Sequence, residues 1–365
     1  MSIPRCSDAA CTNSAVSEPR ATTTKHPDEY RRQAREEMPG ESFGIVSLLV
    51  MVGVTAVSAI THLWVLTAVP IGFLFGFFLE RSDLCGASAF SEVVVMRDWR
   101  KFFGIWIVIV VSMVVFALGD VLGLVHLNPK PLFWASALLG GVVFGVGIVL
   151  AGGCISGVLF KAGQGNLNSM AALVGVPLGI ASVLYGPLHG THLRLRTMVV
   201  EAADGQVPTL STVTGVPYWL LALVFAVATL VVTIVIMRRR GAETTSLKGV
   251  GHRLKSALAM NRGWKPWQSG IAIGILSIAA YVSSAESGRN YPLGTAEGVV
   301  GLAVMAVDAP DEVVWQTHRT PPSAANSQFK VPPTTSKSSP KRVVLWMVLL
   351  VVMMVVGSHL SARLR

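Results

Sequence analysis

Cys85 and Cys154 sit in two near-identical apolar settings. The first reads GFLFGFFLERSDLCGAS (72–88) and the second GVVFGVGIVLAGGCISG (141–157). Aligning Cys85 on Cys154 places Gly72 on Gly141, Phe75 on Phe144 and Gly76 on Gly145. Each cysteine follows an apolar helix with a small-xxx-small face, of the kind that packs closely in membranes, and then a break in the chain. A duplicated helix–break–thiol unit is a common way for transporters to build a central site. Gly86 follows the first cysteine, Gly152 and Gly153 precede the second, and Gly157 and Lys161 lie on the short segment beyond it. A short helix starting at each break turns free N–H groups and a favourable dipole toward an anion, and glycine lets that anion approach the backbone. A thiol is a weak donor and a soft, polarizable contact. It suits an anion with an exposed sulfur, such as thiosulfate, sulfide or persulfide, better than sulfate or phosphate. A thiolate would repel that ligand, so the reading is of neutral thiols passing it along by hydrogen bonding. A lone membrane cysteine is ordinarily core filler; two at matched, glycine-containing breaks weigh against that.

Other residues carry weaker signals. Lys161 attracts the anion or anchors a helix end. Glu80, Arg81 and Asp83 gate the inner mouth or form a self-compensating interfacial cluster. Glu297, in a short apolar stretch, is functional by default if buried. His189 and His192 in HGTH make a poor metal site by themselves, so no metal is expected. The glycines at 163 and 165 lack the Lys-Ser/Thr of a phosphate-binding loop, and no cofactor is implied. Cys6 and Cys11 read as incidental thiols in a polar arm, and no CxxC is present.

These residues are carried by an oily chain. Of its 365 residues 52% are hydrophobic and 14% charged, and the mean hydropathy is +0.58. Soluble domains carry nearer a quarter charged residues, so the chain reads as an all-α polytopic membrane protein of about eight spans. The net charge of +10 sits beside apolar runs, as the positive-inside rule requires, with no aromatic-basic platform for nucleic acid. The expected organisation is a polar cytoplasmic arm (1–42) with no evident signal peptide, a membrane core with the cysteine repeat (43–237), a basic cytoplasmic loop (238–266), a second membrane section (267–307), a Pro/Ser/Thr-rich linker (308–342) and a C-terminal span (343–365). Residues 84–96 are too short to cross: about thirteen residues at roughly 1.5 Å give about 20 Å against a core of about 30 Å. They read as a re-entrant half-helix, and the two copies, 64–124 and 133–188, read as a parallel repeat. The loops near Asn128 and Arg194 are expected outside and the cysteine breaks inside. The stretch 294–307 is again short, which leaves the direction of the last span open.

The strings ERSDLCGASAF (80–90), AGGCISGVLFKAGQG (151–165) and, more loosely, GRNYPLGTAEG (288–298) resemble the YeeE/YedE family of membrane sulfur transporters. The resemblance, over about 64–298, implies uptake of thiosulfate or a related sulfur compound across the inner membrane. It also implies pseudo-symmetric helical halves with cysteines, among them Cys85 and Cys154, along an hourglass-shaped path. Members often carry a further cysteine motif in the C-terminal half; here none follows Cys154, and that half reads as shortened. Two other readings stand beside transport. One is a membrane thiol–disulfide oxidoreductase using Cys85 and Cys154. The other is a non-transporting partner that docks a cytosolic sulfur carrier or sulfurtransferase on the basic loop.

Overall fold

The computed structural model describes residues 53–125, 132–200, 208–239, 264–287, 293–307, 312–314 and 342–364, apart from isolated positions. The arm 1–42, most of the 43–60 span, nearly all of the basic loop and the interior of the 308–342 linker lie outside these residues. The fold is helical. A 3-10 turn, Trp64–Thr67, leads into α1 (Ala68–Ser82), followed by α2 (Gly86–Val95), α3 (Arg100–Val121), α4 (Trp134–Ala151), α5 (Ile155–Gly163) and α6 (Leu167–Leu184). Then come α7 (His189–Arg196), α8 (Leu210–Thr214), α9 (Tyr218–Arg239), α10 (Pro266–Glu286), α11 (Ala296–Val307) and α12 (Leu345–Arg363). Among the described residues, six segments are long and apolar enough to cross a membrane: Trp64–Val95, Arg100–Val121, Trp134–Gly163, Tyr218–Ile236, Pro266–Ala285 and Leu345–Arg363. Leu167–Val183 and Ala296–Ala306 are shorter apolar helices.

The core is built on α1 and α12. Pro70 falls in the first turn of α1, where its missing N–H costs nothing, and Ile71, Phe75 and Leu79 bury one stripe. Gly72 lies against the Leu350 carbonyl, Gly76 against that of Met354, and Gly357 against that of Phe73. Three glycines thus let two backbones touch, which is how apolar helices associate without a hydrophobic driving force between them. Partner numbers rise together along the seam, so α1 and α12 run parallel. At one end, fully buried Trp346 donates from Nε1 to Ser283 Oγ at 2.8 Å and Thr67 Oγ1 at 3.2 Å. At the other, Ser361 donates to Glu80. The direction of the last span, open from the sequence, is therefore that of α1.

A second parallel seam joins α3 and α10. Gly104 meets Pro266 and Gly270, Val111 meets Gly274, and Ser277 donates to Ser112 at 3.2 Å. The helix α9 runs the opposite way along α3, with Trp106 Nε1 donating to Thr229 at 3.0 Å and Tyr218 to the Met113 carbonyl at 3.3 Å. Trp264 stacks on Phe78 at 5.3 Å and its backbone N–H donates to the Arg81 carbonyl at 3.1 Å. The C-terminal end of α1 and the N-terminal ends of α3 and α10 consequently share one face of the bundle. The residues expected in two outer loops also meet: Leu132 bridges Val200, and the Arg196 guanidinium lies 5.2 Å over Phe133.

Two features depart from expectation. Close packing was expected at Gly141 and Gly145, as at their counterparts Gly72 and Gly76. Instead a Cβ at either would meet nothing within 4 Å, and no residue of α4 is buried. The alignment holds for the sequence but not for the surroundings, because α12 fills the groove of the first copy only. The ends of the 308–342 linker pair as a parallel ladder, β1 (Glu312–Val314) with β2 (Arg342–Val344), burying Val314 and Val343.

Candidate functional site

Both cysteines are delivered by the same backbone device. Asp83 ends α1 with φ 48°, and Gly152 ends α4 with φ 70°. The N–H of Leu84 reaches the Leu79 carbonyl at 3.1 Å, and that of Gly153 reaches Ile148 at 3.1 Å. These are Schellman stops, which require one left-handed residue; glycine meets that need freely, and aspartate is among the few side chains that tolerate it. Two residues on, Cys85 and Cys154 adopt extended backbone and become the N-caps of α2 and α5. The repeat therefore extends to the dihedral angles.

The stops aim the two thiols at each other. Cys85 Sγ lies 3.7 Å from Cys154 Sγ, and both are free. Cys85 is buried and Cys154 half-buried. Gly157 N–H donates to Cys154 Sγ at 3.4 Å, as an N3 amide does to a cap. The sulfurs thus occupy the crossing of two helix N-termini, where partial positive charge is concentrated.

The glycines have distinct roles. Gly157 holds its Cα against Cys85, where a Cβ would collide with Sγ. Gly153 packs on the backbone of Gly157 and Val158, whereas Gly86 faces open space. Lys161 Nζ donates to the Gly152 carbonyl at 2.7 Å, placing a cation at the negative end of α4. That contact fits the anchoring role of Lys161.

The residues of the suggested gate separate. Glu80 and Arg81 are each 1% exposed. Glu80 accepts from Ser361 on α12 and, at 3.2 Å, from Gln164 beyond α5. The Arg81 guanidinium lies 5.5 Å over the Phe77 ring. Asp83 faces the other way, 2.5 Å from Lys101, which also meets Glu92 at 2.6 Å. Glu80 therefore ties three elements together, and Asp83 ties the first break to α3. Glu297 is exposed, so the reading that depended on its burial does not apply.

One contact was not foreseen. Ser156, two residues past Cys154, has its Oγ 2.9 Å from Thr295 Oγ1 at the head of α11. The loosely resembling string at 288–298 was the available signal, yet a hydroxyl there stood out less than a cysteine.

Comparison with known proteins places the chain in a family. A family described as "Sulphur transport" matches residues 81–365. "Thiosulfate transporter TsuA" of Spirochaeta thermophila is 31% identical over 244 residues, 65% of this chain and 68% of that protein. The Escherichia coli protein of the same name is 28% identical over 235 residues, 63% of this chain and 64% of its own. "Probable transporter YedE" of Escherichia coli is 30% identical over 165 residues, 44% of this chain and 38% of its own.

Proposed function

The chain belongs to the sulphur transport family, and on that premise we propose that it carries thiosulfate or a closely related sulfur anion across the inner membrane along a path lined by Cys85 and Cys154. The observation that carries this reading is the 3.7 Å approach of two free thiols at crossed helix N-termini. A terminal sulfur can accept an S–H hydrogen bond from one thiol and then the other without either becoming charged. The surrounding amides offset the anion's charge, and irregular backbone at membrane depth is tolerated where protein or a watery cavity receives it. Gly86, Gly152, Gly153 and Gly157 keep the backbone accessible or the sulfurs in register. Lys161 acts by fixing the second break. Glu80 and Arg81, with Asp83, hold the inner mouth in shape.

Lys101, Arg97, Arg100, Lys265 and Arg363 lie at or beside the ends of α3, α10 and α12 that share one face with the C-terminal end of α1, and by the positive-inside rule we read that face as cytoplasmic. A cytoplasmic N-terminal arm goes with that reading. A cytosolic sulfur carrier or sulfurtransferase is the proposed recipient, docking on the basic loop 238–266. Uptake of labelled thiosulfate into vesicles holding the purified protein tests the reading. Uptake should be lost in both Cys85→Ala and Cys154→Ala. Uptake that persists in either variant, or is absent in the wild type, overturns it.

A further inference from the structure

Three short helices begin at breaks, and the residue ahead of each occupies the same backbone position. Ala89 N–H donates to the Cys85 carbonyl at 2.9 Å, Val158 to Cys154 at 2.7 Å and Val299 to Thr295 at 3.1 Å. The N-caps of α2, α5 and α11 are thus two thiols and a hydroxyl. They are also neighbours: Cys85 meets Cys154, and Ser156, two residues along the same helix head, meets Thr295.

We propose that Ser156 and Thr295 read the oxygen-bearing end of the transported anion, while Cys85 and Cys154 read its sulfur end. The inference rests on the transport reading above and sharpens its substrate class. The site takes a two-ended anion, soft sulfur on one side and an oxyanion head on the other, in preference to hydrosulfide or a fully oxygenated anion. A hydroxyl is a good donor to oxygen and a thiol a poor one. Thr295 is 7% exposed, and a buried hydroxyl proton without an acceptor is costly. In the 2.9 Å contact one hydroxyl donates to the other. That uses one of the pair's two protons, and among the described residues the other meets no acceptor. An oxyanion at the junction of α5 and α11 supplies one. The arrangement also explains why a third break without cysteine is compatible with the site, since oxygen, not sulfur, is read there.

The test uses the full-length protein in vesicles. Labelled thiosulfate uptake is titrated, and sodium hydrosulfide and sulfite serve as competitors. Ser156→Ala and Thr295→Val should each raise the half-saturating thiosulfate concentration about tenfold, the usual consequence of losing a hydrogen bond to a charged group. Sulfite competition should weaken in parallel, inhibition by hydrosulfide should change less than about twofold, and Thr295→Ser should restore wild-type values. A purely structural tether between α5 and α11 would move all three anions together. Parallel loss, or an unchanged thiosulfate titration in both variants with normal elution on size exclusion, overturns the inference. In that case the transport reading survives wherever Cys85→Ala and Cys154→Ala still abolish uptake. A wild type that takes up no thiosulfate overturns both.

Discussion

Gly157→Ala is the sharpest perturbation of the sulfur pair, because the added methyl is aimed at one atom. Its Cβ would overlap Cys85 Sγ while standing 3.6 Å from Cys154 Sγ, an ordinary contact. The neighbour that must yield is therefore Cys85, and it must turn away from its partner. Overpacking a tight site costs about 1–3 kcal/mol. Replacing a helical glycine by alanine returns about 1 kcal/mol. The net loss of stability is then roughly 0–2 kcal/mol, so the protein stays folded while the 3.7 Å sulfur contact is lost. Two assays follow. Diamide should cross-link Cys85 to Cys154 readily in the wild type and at least about tenfold more slowly in the variant, as expected when reacting atoms leave near-attack distance. Thiosulfate uptake should fall in step. A variant that cross-links and transports like the wild type would refute the claim that the glycine sets the position of Cys85.

Two further outcomes can be checked. Gly72→Ala, Gly76→Ala and Gly357→Ala, each pressing on a facing carbonyl, should each cost about 1–3 kcal/mol in thermal unfolding in detergent; Gly141→Ala and Gly145→Ala, which meet nothing, should cost nothing or stabilise by up to about 1 kcal/mol. Burial, with the charges of Arg196 and His189, holds the His192 imidazole below the ordinary histidine range. The fold thus resists a proton that the unfolded segment accepts, and α7 should lose stability as pH falls below about 6.5. Amide exchange across 189–197, corrected for intrinsic rate, should quicken between about pH 7.5 and about pH 5.5 in the wild type and not in His192→Leu.

The membrane class, the short helices and the matched cysteines were legible in the sequence because each depends on local pattern. Runs of apolar residues mark spans, and the Cys85/Cys154 alignment already placed Asp83 on Gly152, the left-handed residues that end α1 and α4. What was hidden depends on partners far away in the chain. Gly72 and Gly141 look alike as letters, yet only Gly72 has α12 against it. Hydropathy marks α12 as a span but carries no information about which helix it meets. Ser156 and Thr295 are ordinary residues singly, and only the fold brings their oxygens to 2.9 Å. Lys161 showed its charge but not the Gly152 carbonyl that engages it.

The seam between α1 and α12 also imposes an order on biogenesis. The ribosome delivers α1 well before its glycine-lined partner, with α2 through α11 made in between. Until then the carbonyl-sized notches at Gly72 and Gly76 have only lipid or the insertion machinery to fill them. Contacts so distant in sequence form slowly. A premature stop ahead of Leu345 would thus remove the inner wall of the bundle and leave the early helices as a ready target for membrane quality control.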